Sequence, residues 1–302
     1  MKKPSKPIPT SDVESLAIDQ YSRQKWASIF IDQIRVNDAS FKILDVGGYK
    51  GKTAEFQEKD TVIVCDLFDV EEKNYVKGDG RRLPFQDSEF GFVVTFDTYE
   101  HIPREGRDQF VQELLRVSKQ GVILAAPFDN ENGAVFQAEV DLNDYHIKLY
   151  GKDHPWLKEH IEYRIPADHE LNELLDTLSV PYASLPSNDL SIWTLMQTIY
   201  FSIDLDNDLR GRVDDINRCY NKDLTGLDST DQQAYRKIYF FSKDKDKASK
   251  IQEFINRQKN MIQEDSKVHF IAYALSVWGQ KYRDVERYKD YLENEIKNLK
   301  AT

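Results

Sequence analysis

Short apolar runs alternate with amphipathic stretches along the first half of the chain, and this alternation predicts a layered α/β fold. Four runs have the length and composition of buried strands, at 42–46, 62–65, 92–96 and 122–126. Between the last two, apolar residues at helical spacing predict a helix over 107–118. Strands that alternate with helices in this way form a parallel sheet joined by crossover connections.

Further elements are predicted on both sides of this core. Ser11 and Glu14 have capping-box spacing, and apolar positions between Leu16 and Ile34 predict a helix before the first strand. Residues 129–170 lack sustained periodicity, which indicates an insertion with short helices that faces the substrate. The remaining predicted elements are helices over 167–178 and 191–218, and strands around 182–185 and 235–242.

The C-terminal part of the chain changes character. From Trp278 to Leu299, apolar and aromatic residues recur every three or four positions, as in a coiled-coil seam or in one amphipathic helix that packs back on the domain. The chain ends inside this pattern without a capping signal, and we hypothesise that it is part of a longer protein. We therefore predict a domain over 1–245, with insertions at about 129–170 and 191–234, and a helical extension over 246–302.

Composition narrows the classes of function. The formal charge of −11, from 52 acidic and 41 basic residues, argues against a nucleic-acid binder that relies on a net basic surface. Cys65 and Cys219 have neither disulfide-framework nor zinc-site spacing, which favours a reducing compartment. No apolar run reaches the length of about 18 residues that a membrane span needs, so we expect a cytoplasmic protein.

A glycine-containing turn follows the first predicted strand, with the sequence Asp45-Val46-Gly47-Gly48-Tyr49-Lys50-Gly51. Such a turn between strand and helix lets a ligand approach the backbone closely. Asp66, which closes the second strand, is placed to accept both ribose hydroxyls of an adenosine. Tyr49 stands where the dinucleotide fingerprint needs its second glycine, which disfavours a nicotinamide-dependent oxidoreductase.

Together these segments resemble the motifs of class I S-adenosylmethionine-dependent methyltransferases. The segment 43–51 resembles the first motif, Asp66 matches the ribose-binding acid, 78–85 resembles the adenine-contacting segment, and 90–94 resembles the fourth strand. Glu100-His101-Ile102-Pro103 completes the series. Each feature alone has an ordinary explanation as a turn glycine, helix cap or loop aspartate, but their joint order does not.

The resemblance implies a Rossmann-like α/β fold with a mostly parallel, seven-stranded sheet and S-adenosylmethionine as the cofactor. The implied cofactor-binding residues are Asp45, Gly47, Gly48, Gly51, Asp66, Leu67, Asp79, Gly80 and Phe96.

Two residues near the end of the fourth strand are candidates for the chemistry. Methyl transfer to a hydroxyl needs the acceptor held in line and its proton removed. His101 is placed for the general base, because an imidazole titrates near neutral pH, although it could equally be a structural cap. Asp97, on the same strand, is the second catalytic candidate and could orient the histidine or the acceptor.

More histidines follow at His146, His154, His160 and His169. Their spacing is not a recognised ligand pattern, so we interpret them as solvated loop residues and assign no metal.

The substrate prediction rests on a finer resemblance. The segments 154–160, 165–166, 219–221 and 234–236 are similar to parts of methyltransferase domains associated with bacterial glycosyltransferases. This implies O-methylation of a sugar hydroxyl in a surface glycan of the O-antigen or S-layer type. Aromatic residues that could stack on sugars are Tyr145, Tyr150, Trp156 and Tyr163.

The same resemblance implies a glycan or glycolipid acceptor and a glycosyltransferase domain or partner reached through the C-terminal helices, at the inner face of the membrane. The alternatives are a small-molecule methyltransferase and a catalytically silent scaffold, which Tyr49 in the glycine turn would favour.

Overall fold

One seven-stranded sheet organises the computed structural model, which describes residues 12–203, 207–224, 226–259 and 266–279. The strands are β1 (Lys42–Val46), β2 (Thr61–Asp66), β3 (Tyr75–Lys77), β4 (Phe90–Phe96), β5 (Ser118–Pro127), β6 (Tyr182–Asp189) and β7 (Ala234–Phe241). The helices are α1 (Ile18–Ile34), α2 (Thr53–Phe56), α3 (Arg107–Val117), α4 (Ala134–Tyr150), α5 (Pro155–Tyr163), α6 (Asp168–Thr177), α7 (Leu190–Ile203), α8 (Asn207–Asp223) and α9 (Lys245–Lys259). Residues 266–279 are also helical.

The strand order is β3-β2-β1-β4-β5-β7-β6. Neighbours from β3 to β5 pair in parallel, and β7 runs antiparallel to both β5 and β6. The predicted mostly parallel, seven-stranded sheet is therefore confirmed. The chain moves outward from β1 to β3 and then crosses to β4, so a crevice opens between β1 and β4 where ligands bind in such sheets.

Helices cover both faces of the sheet, as the alternation of side chains along each strand requires. On β4, Val93 packs with Leu114 of α3 on one face. Its neighbour Val94 packs on the other face with Phe30 of α1 and Ile251 of α9. Because β4 is covered on both sides, its sequence is a nearly continuous apolar run rather than an alternating one.

The structure corrects several element predictions. The insertion at 129–170 contains α4, a helix of 17 residues, in place of the short helices expected there. The three-residue strand β3 was not predicted, because so short an edge strand carries little pattern. The first helix begins at Ile18 rather than near the predicted cap, after a short 3₁₀ turn over Val13–Ser15, and Ser11 lies outside the described residues.

The helical extension packs on the domain as far as it is described. Ile255 of α9 lies in the core beneath the sheet, and Phe270 packs with Tyr220 of α8 at 5.2 Å between ring centroids. The predicted coiled-coil seam from residue 280 onward lies outside the described residues. Within the described ranges, no helix combines the length and hydropathy needed to cross a membrane.

Candidate active site

A cavity of about 300 Å³ opens at the carboxyl ends of β1 and β4. The glycine turn after β1 forms its floor, and the end of β4 with the turn over 99–101 forms one side. Helices α1, α4, α5 and α7 and strand β7 contribute the rest of the wall. The cavity therefore lies at the crevice that the strand order creates, and the insertion closes over it.

Glycine is required at two positions of the turn. Gly47 has φ of +79°, and a Cβ there would lie 2.2 Å from Oγ1 of Thr98. A Cβ on Gly48 would lie 2.2 Å from the carboxyl group of Asp45. Close packing against Thr98 and Asp45 therefore requires both glycines, and both also line the cavity.

Asp45 lies beneath this turn at the end of a short hydrogen-bond chain. Nε2 of Gln24 donates to Oγ1 of Thr53 at 3.0 Å, and that hydroxyl donates to Oδ2 of Asp45 at 2.5 Å. The carboxylate is only 1% exposed, and its Oδ1 has no hydrogen-bond partner among the described residues. Burial raises the pKa of Asp45 to about 6.

Asp66 stands at the rim, at the end of β2. Its carboxylate accepts hydrogen bonds from the backbone N–H of Tyr49 at 3.1 Å and of Leu67 at 2.6 Å. The Tyr49 ring contacts Phe68 at 5.0 Å between centroids, and the Leu67 side chain is 67% exposed. Tyr49 therefore extends an apolar surface beside Asp66.

Asp79 and Gly80 follow β3 and do not line this cavity, and neither do Asp66 and Leu67. Arg81 donates to the Asp79 carboxylate at 2.7 Å and thereby lowers its pKa. A Cβ on Gly80 would lie 2.4 Å from the Phe110 ring, so close packing explains this glycine. Phe96 does line the cavity, beside Gly47 and Gly48.

Two histidines and a buried glutamate form a cluster at the far side of the cavity, which we call the histidine cluster: Glu100, His101 and His160. Nδ1 of His101 lies 2.7 Å from Oε2 of Glu159, and Nδ1 of His160 lies 2.8 Å from Oε2 of Glu139. The two Nε2 atoms face each other at 3.3 Å.

Charges and burial shift the pKa values of Glu100 and His160 in this cluster and of the nearby His154. Burial, helped by the negative charge of Asp97, raises the pKa of Glu100 to about 8. Burial lowers the pKa of His160, but its hydrogen bond to Glu139 outweighs this and raises the pKa above the ordinary value. Burial also lowers the pKa of His154 to about 4, so this imidazole is neutral at pH 7.

Asp97 directly follows β4, has φ of +49° and is bound by two arginines. Nη1 of Arg23 and Nη1 of Arg236 each lie 2.5 Å from a different oxygen of its carboxylate. Burial alone would raise the pKa of Asp97, but the two positive charges hold it below its ordinary value. The residue that orients His101 is therefore Glu159, whereas Asp97 anchors Arg236 and Arg23.

The interpretation of the downstream histidines as solvated loop residues is wrong for three of them. His146 lies on α4 and is buried, His160 lies on α5 and is buried, and His154 is half-buried in the cavity wall. His169, on α6, is exposed.

Sequence reasoning missed several residues of this site. Arg23 and Glu139 belong to elements that no motif connected to the site. Glu159 and Arg236 lie in the segments 154–160 and 234–236, which were compared with other methyltransferase domains but not assigned to the site. A signal existed for Arg236, because β7 is apolar except for Arg236 and Lys237, and a charged side chain buried in such a strand needs a partner.

Polar atoms without a hydrogen-bond partner concentrate around the cavity. Eleven buried side-chain nitrogen or oxygen atoms of the described residues have no partner, and seven of these belong to residues that line the cavity. The seven residues are Arg23, Gln24, Asp45, Glu100, His154, Trp193 and Arg236. Buried polar groups are normally paired, so the cavity suits a ligand that carries many polar groups.

Comparison with known proteins indicates the kind of ligand that this cavity takes. Residues 44–126 match the sequence model of a family described as methyltransferase domain. The sequence has no match among curated proteins.

Three solved structures illustrate the likeness of the fold. One from Galdieria sulphuraria, described as a sarcosine dimethylglycine methyltransferase, has a TM-score of 0.50 and 14% identity over 74% of this chain and 84% of that chain. The YcgJ protein of Bacillus subtilis has a TM-score of 0.43 and 15% identity, over 72% and 99%. A protein from Bacillus halodurans C-125 described as a methyltransferase has a TM-score of 0.39 and 18% identity, over 71% and 96%.

Residues 44–126 therefore match a methyltransferase domain, the fold is that of class I methyltransferases, and this match implies S-adenosylmethionine as the cofactor. The residues present fit this molecule. The glycine turn lines the cavity and offers backbone groups, the unpartnered Oδ1 of Asp45 offers negative charge to a cation, and Asp66 is held next to this turn by backbone donors.

The affinity for S-adenosylmethionine is expected to fall as the pH falls below about 6. A proton on Asp45, whose pKa is about 6, removes negative charge that favours a cationic ligand, so the association constant decreases by up to about tenfold per pH unit. Arg23 and Asp66 act on the same carboxyl group. Calorimetric titrations from pH 5 to pH 8 measure the slope, and Asp45→Asn should flatten it. A slope that persists in this variant would assign the effect elsewhere.

Proposed function

We propose that this methyltransferase domain transfers its methyl group to a sugar hydroxyl of a bacterial surface glycan of the O-antigen or S-layer type. The observation that supports this proposal most directly is the histidine cluster, which places proton-accepting groups in the same cavity as the glycine turn. A hydroxyl acceptor has to lose a proton during transfer, whereas an amine that is already neutral can react without this help.

The shape and lining of the cavity agree with a sugar. Trp156 is 63% exposed at its wall, although tryptophan normally buries most of its ring, and His154 packs against it at 4.9 Å between centroids. Polar side chains surround this aromatic surface. An amphipathic ligand with one apolar face and a ring of hydroxyls matches such a wall.

The segments that resemble domains associated with glycosyltransferases contribute directly to this wall. His154, Trp156, Leu157 and His160 come from the first such segment, and Tyr235 with Arg236 comes from the last. Of the four aromatic residues that the sequence suggested for sugar stacking, Trp156 lines the cavity. The hydroxyl of Tyr145 instead lies 3.3 Å from that of Ser202.

The reaction follows from these positions. S-adenosylmethionine supplies a methyl group on a positively charged sulfur. The histidine cluster receives the acceptor hydroxyl, with His101 oriented through its Nδ1 by Glu159 so that Nε2 faces the cavity. As the new carbon–oxygen bond forms, the bond between the methyl carbon and the sulfur breaks, its electron pair stays on the sulfur, and the hydroxyl proton leaves the oxygen. In the simplest form of this proposal, Nε2 of His101 takes that proton as general base.

Purified protein with isotope-labelled S-adenosylmethionine is expected to label oligosaccharide acceptors at a hydroxyl, which nuclear magnetic resonance identifies as an O-methyl sugar. Sarcosine and dimethylglycine serve as competing amine acceptors, because they appear in the description of the Galdieria sulphuraria structure. Exclusive labelling of amines would overturn the sugar proposal. Cofactor binding without turnover on any acceptor would favour the scaffold alternative, in which a glycosyltransferase partner is held through the C-terminal helices.

A further inference from the structure

The histidine cluster brings together three ligand atoms from distant parts of the chain. Glu100 and His101 lie in the turn after β4, and His160 lies on α5, 59 residues after His101. One ligand atom from each of these residues lies within 4.8 Å of the other two. Such convergence from separate elements is how protein metal sites are built.

A carboxylate lies within hydrogen-bond distance of the Nδ1 atom of each imidazole. With Nδ1 of His101 donating to Glu159 and Nδ1 of His160 donating to Glu139, the hydrogen of each neutral ring is on Nδ1. Both Nε2 atoms are then acceptors, and they face each other at 3.3 Å. Two lone pairs directed at one point repel each other unless a proton or a metal ion lies between them.

The outer partners have the arrangement that metal-binding histidines use. A carboxylate on the second ring nitrogen fixes the orientation of the ring and makes the first nitrogen a better ligand. Glu139 is itself fixed, since it is fully buried and accepts a hydrogen bond from the Tyr235 hydroxyl at 2.7 Å. His160 is therefore held rigidly toward the cluster.

The separation of the two nitrogens matches a bound ion. Two nitrogen ligands at about 2.0–2.1 Å from a tetrahedral zinc ion lie about 3.3–3.4 Å from each other. The observed 3.3 Å between the two Nε2 atoms agrees with this value.

Glu100 supplies the third ligand. Its side chain is 1% exposed, and its Oε2 has no hydrogen-bond partner among the described residues. A buried carboxylate oxygen without a donor is costly, and a cation at the cluster would satisfy it.

We propose that Glu100, His101 and His160 form a binding site for a divalent transition-metal ion of the zinc type, with its open coordination position facing the cavity. Imidazole ligands favour zinc and its transition-metal neighbours over magnesium, which prefers oxygen ligands. The ion site itself stands independently of the acceptor. The assignment of the open position to a sugar hydroxyl rests on the proposed function.

A bound ion changes how the hydroxyl is activated. An oxygen coordinated to zinc loses its proton far more readily, because the ion stabilises the resulting negative charge. His101 is then a ligand through Nε2, and the hydroxyl proton passes to water in the open cavity. The oxygen keeps the electron pair of the broken O–H bond and uses it to form the bond to the methyl carbon. The bond between this carbon and the sulfonium sulfur breaks at the same time, and its electron pair stays on the sulfur.

The test measures metal binding without any acceptor. Full-length protein without a histidine tag is stripped with a chelator and titrated with Zn²⁺ by calorimetry, and with Co²⁺ by absorption spectroscopy. We expect one ion per chain, Co²⁺ bands of a four- or five-coordinate site, and negligible binding of Mg²⁺. His101→Ala and His160→Gln should weaken Zn²⁺ binding at least about a hundredfold, and Glu139→Gln about ten- to a hundredfold.

Control measurements distinguish the metal site from the cofactor site and from the assignment of the acceptor. His169→Ala removes an exposed histidine outside the cluster and should leave Zn²⁺ affinity unchanged. Absence of saturable Zn²⁺ binding, or equal affinity in wild type and His101→Ala, would overturn the site and leave two imidazoles that share a proton. Calorimetry with S-adenosylmethionine on the same samples reports the cofactor site separately. Zinc binding without sugar methylation would retain the metal site and overturn the acceptor assignment.

Discussion

Replacement of His101 by alanine is expected to lower the turnover number for methyl transfer by about 10²- to 10⁴-fold, because the acceptor hydroxyl loses the group that assists its deprotonation. The loss follows whether the imidazole takes the proton itself or holds an ion that polarises the hydroxyl. The side chain is partly exposed in a short turn, so the fold should tolerate the change. Initial rates at saturating S-adenosylmethionine, with the acceptor varied, measure the effect.

Two comparisons make this result specific. The affinity for S-adenosylmethionine should stay unchanged in His101→Ala, since the side chain of His101 bonds to Glu159 and His160 rather than to Asp45 or the glycine turn. Glu159→Gln, which weakens the hold on Nδ1 of His101, should reduce turnover less, and His169→Ala should not reduce it. Full turnover in His101→Ala with normal cofactor affinity would remove this residue from the chemistry.

Replacement of Asp97 by asparagine is expected to lower the free energy of unfolding by about 3 kcal/mol, because it leaves two arginines without their main counter-ion. Arg236 is 1% exposed, and Asp19 at 3.8 Å is its remaining carboxylate partner among the described residues. Asparagine also adopts positive φ readily, so the backbone of residue 97 is not strained by the change. The variant therefore isolates the loss of charge.

Urea unfolding followed by circular dichroism measures this difference. The control is Asp69→Asn, which removes the partner of Lys77 in an exposed ion pair and should cost less than about 1 kcal/mol. Equal stability of Asp97→Asn and wild type would show that the negative charge of Asp97 does not stabilise the two arginines. A large loss of stability would explain Asp97 as an anchor for the cavity wall rather than as a group that acts on the acceptor.

The positions of four strands and of the glycine turn could be predicted from sequence because both depend on local signals. A glycine turn directly after a buried strand, and an acid at the end of the next strand, come to the same sheet edge whenever the strands are parallel. β1, β2, β4 and β5 each occur where the apolar runs predicted them. The edge strand β3, with three residues, had no such signal.

The acceptor side of the site could not be predicted in the same way. The insertion over 129–170 has weak periodicity, because α4 and α5 bury polar residues such as Glu139 and His160 in the cavity wall as well as apolar ones. A search for amphipathic faces treats those positions as solvent-exposed. The interpretation of the histidines as loop residues was wrong for this reason.

The sequence by itself determined the fold class, the cofactor and the residues of the glycine turn, since these depend on patterns within a few residues of each strand end. Tertiary structure alone decided that His160 faces His101 and that Arg236 binds Asp97, across separations of 59 and 139 residues. Those contacts exist because α5 packs over the end of β4 and because β7 runs antiparallel beside β5. Burial makes each polar group there depend on a partner, and only the packed chain specifies which one.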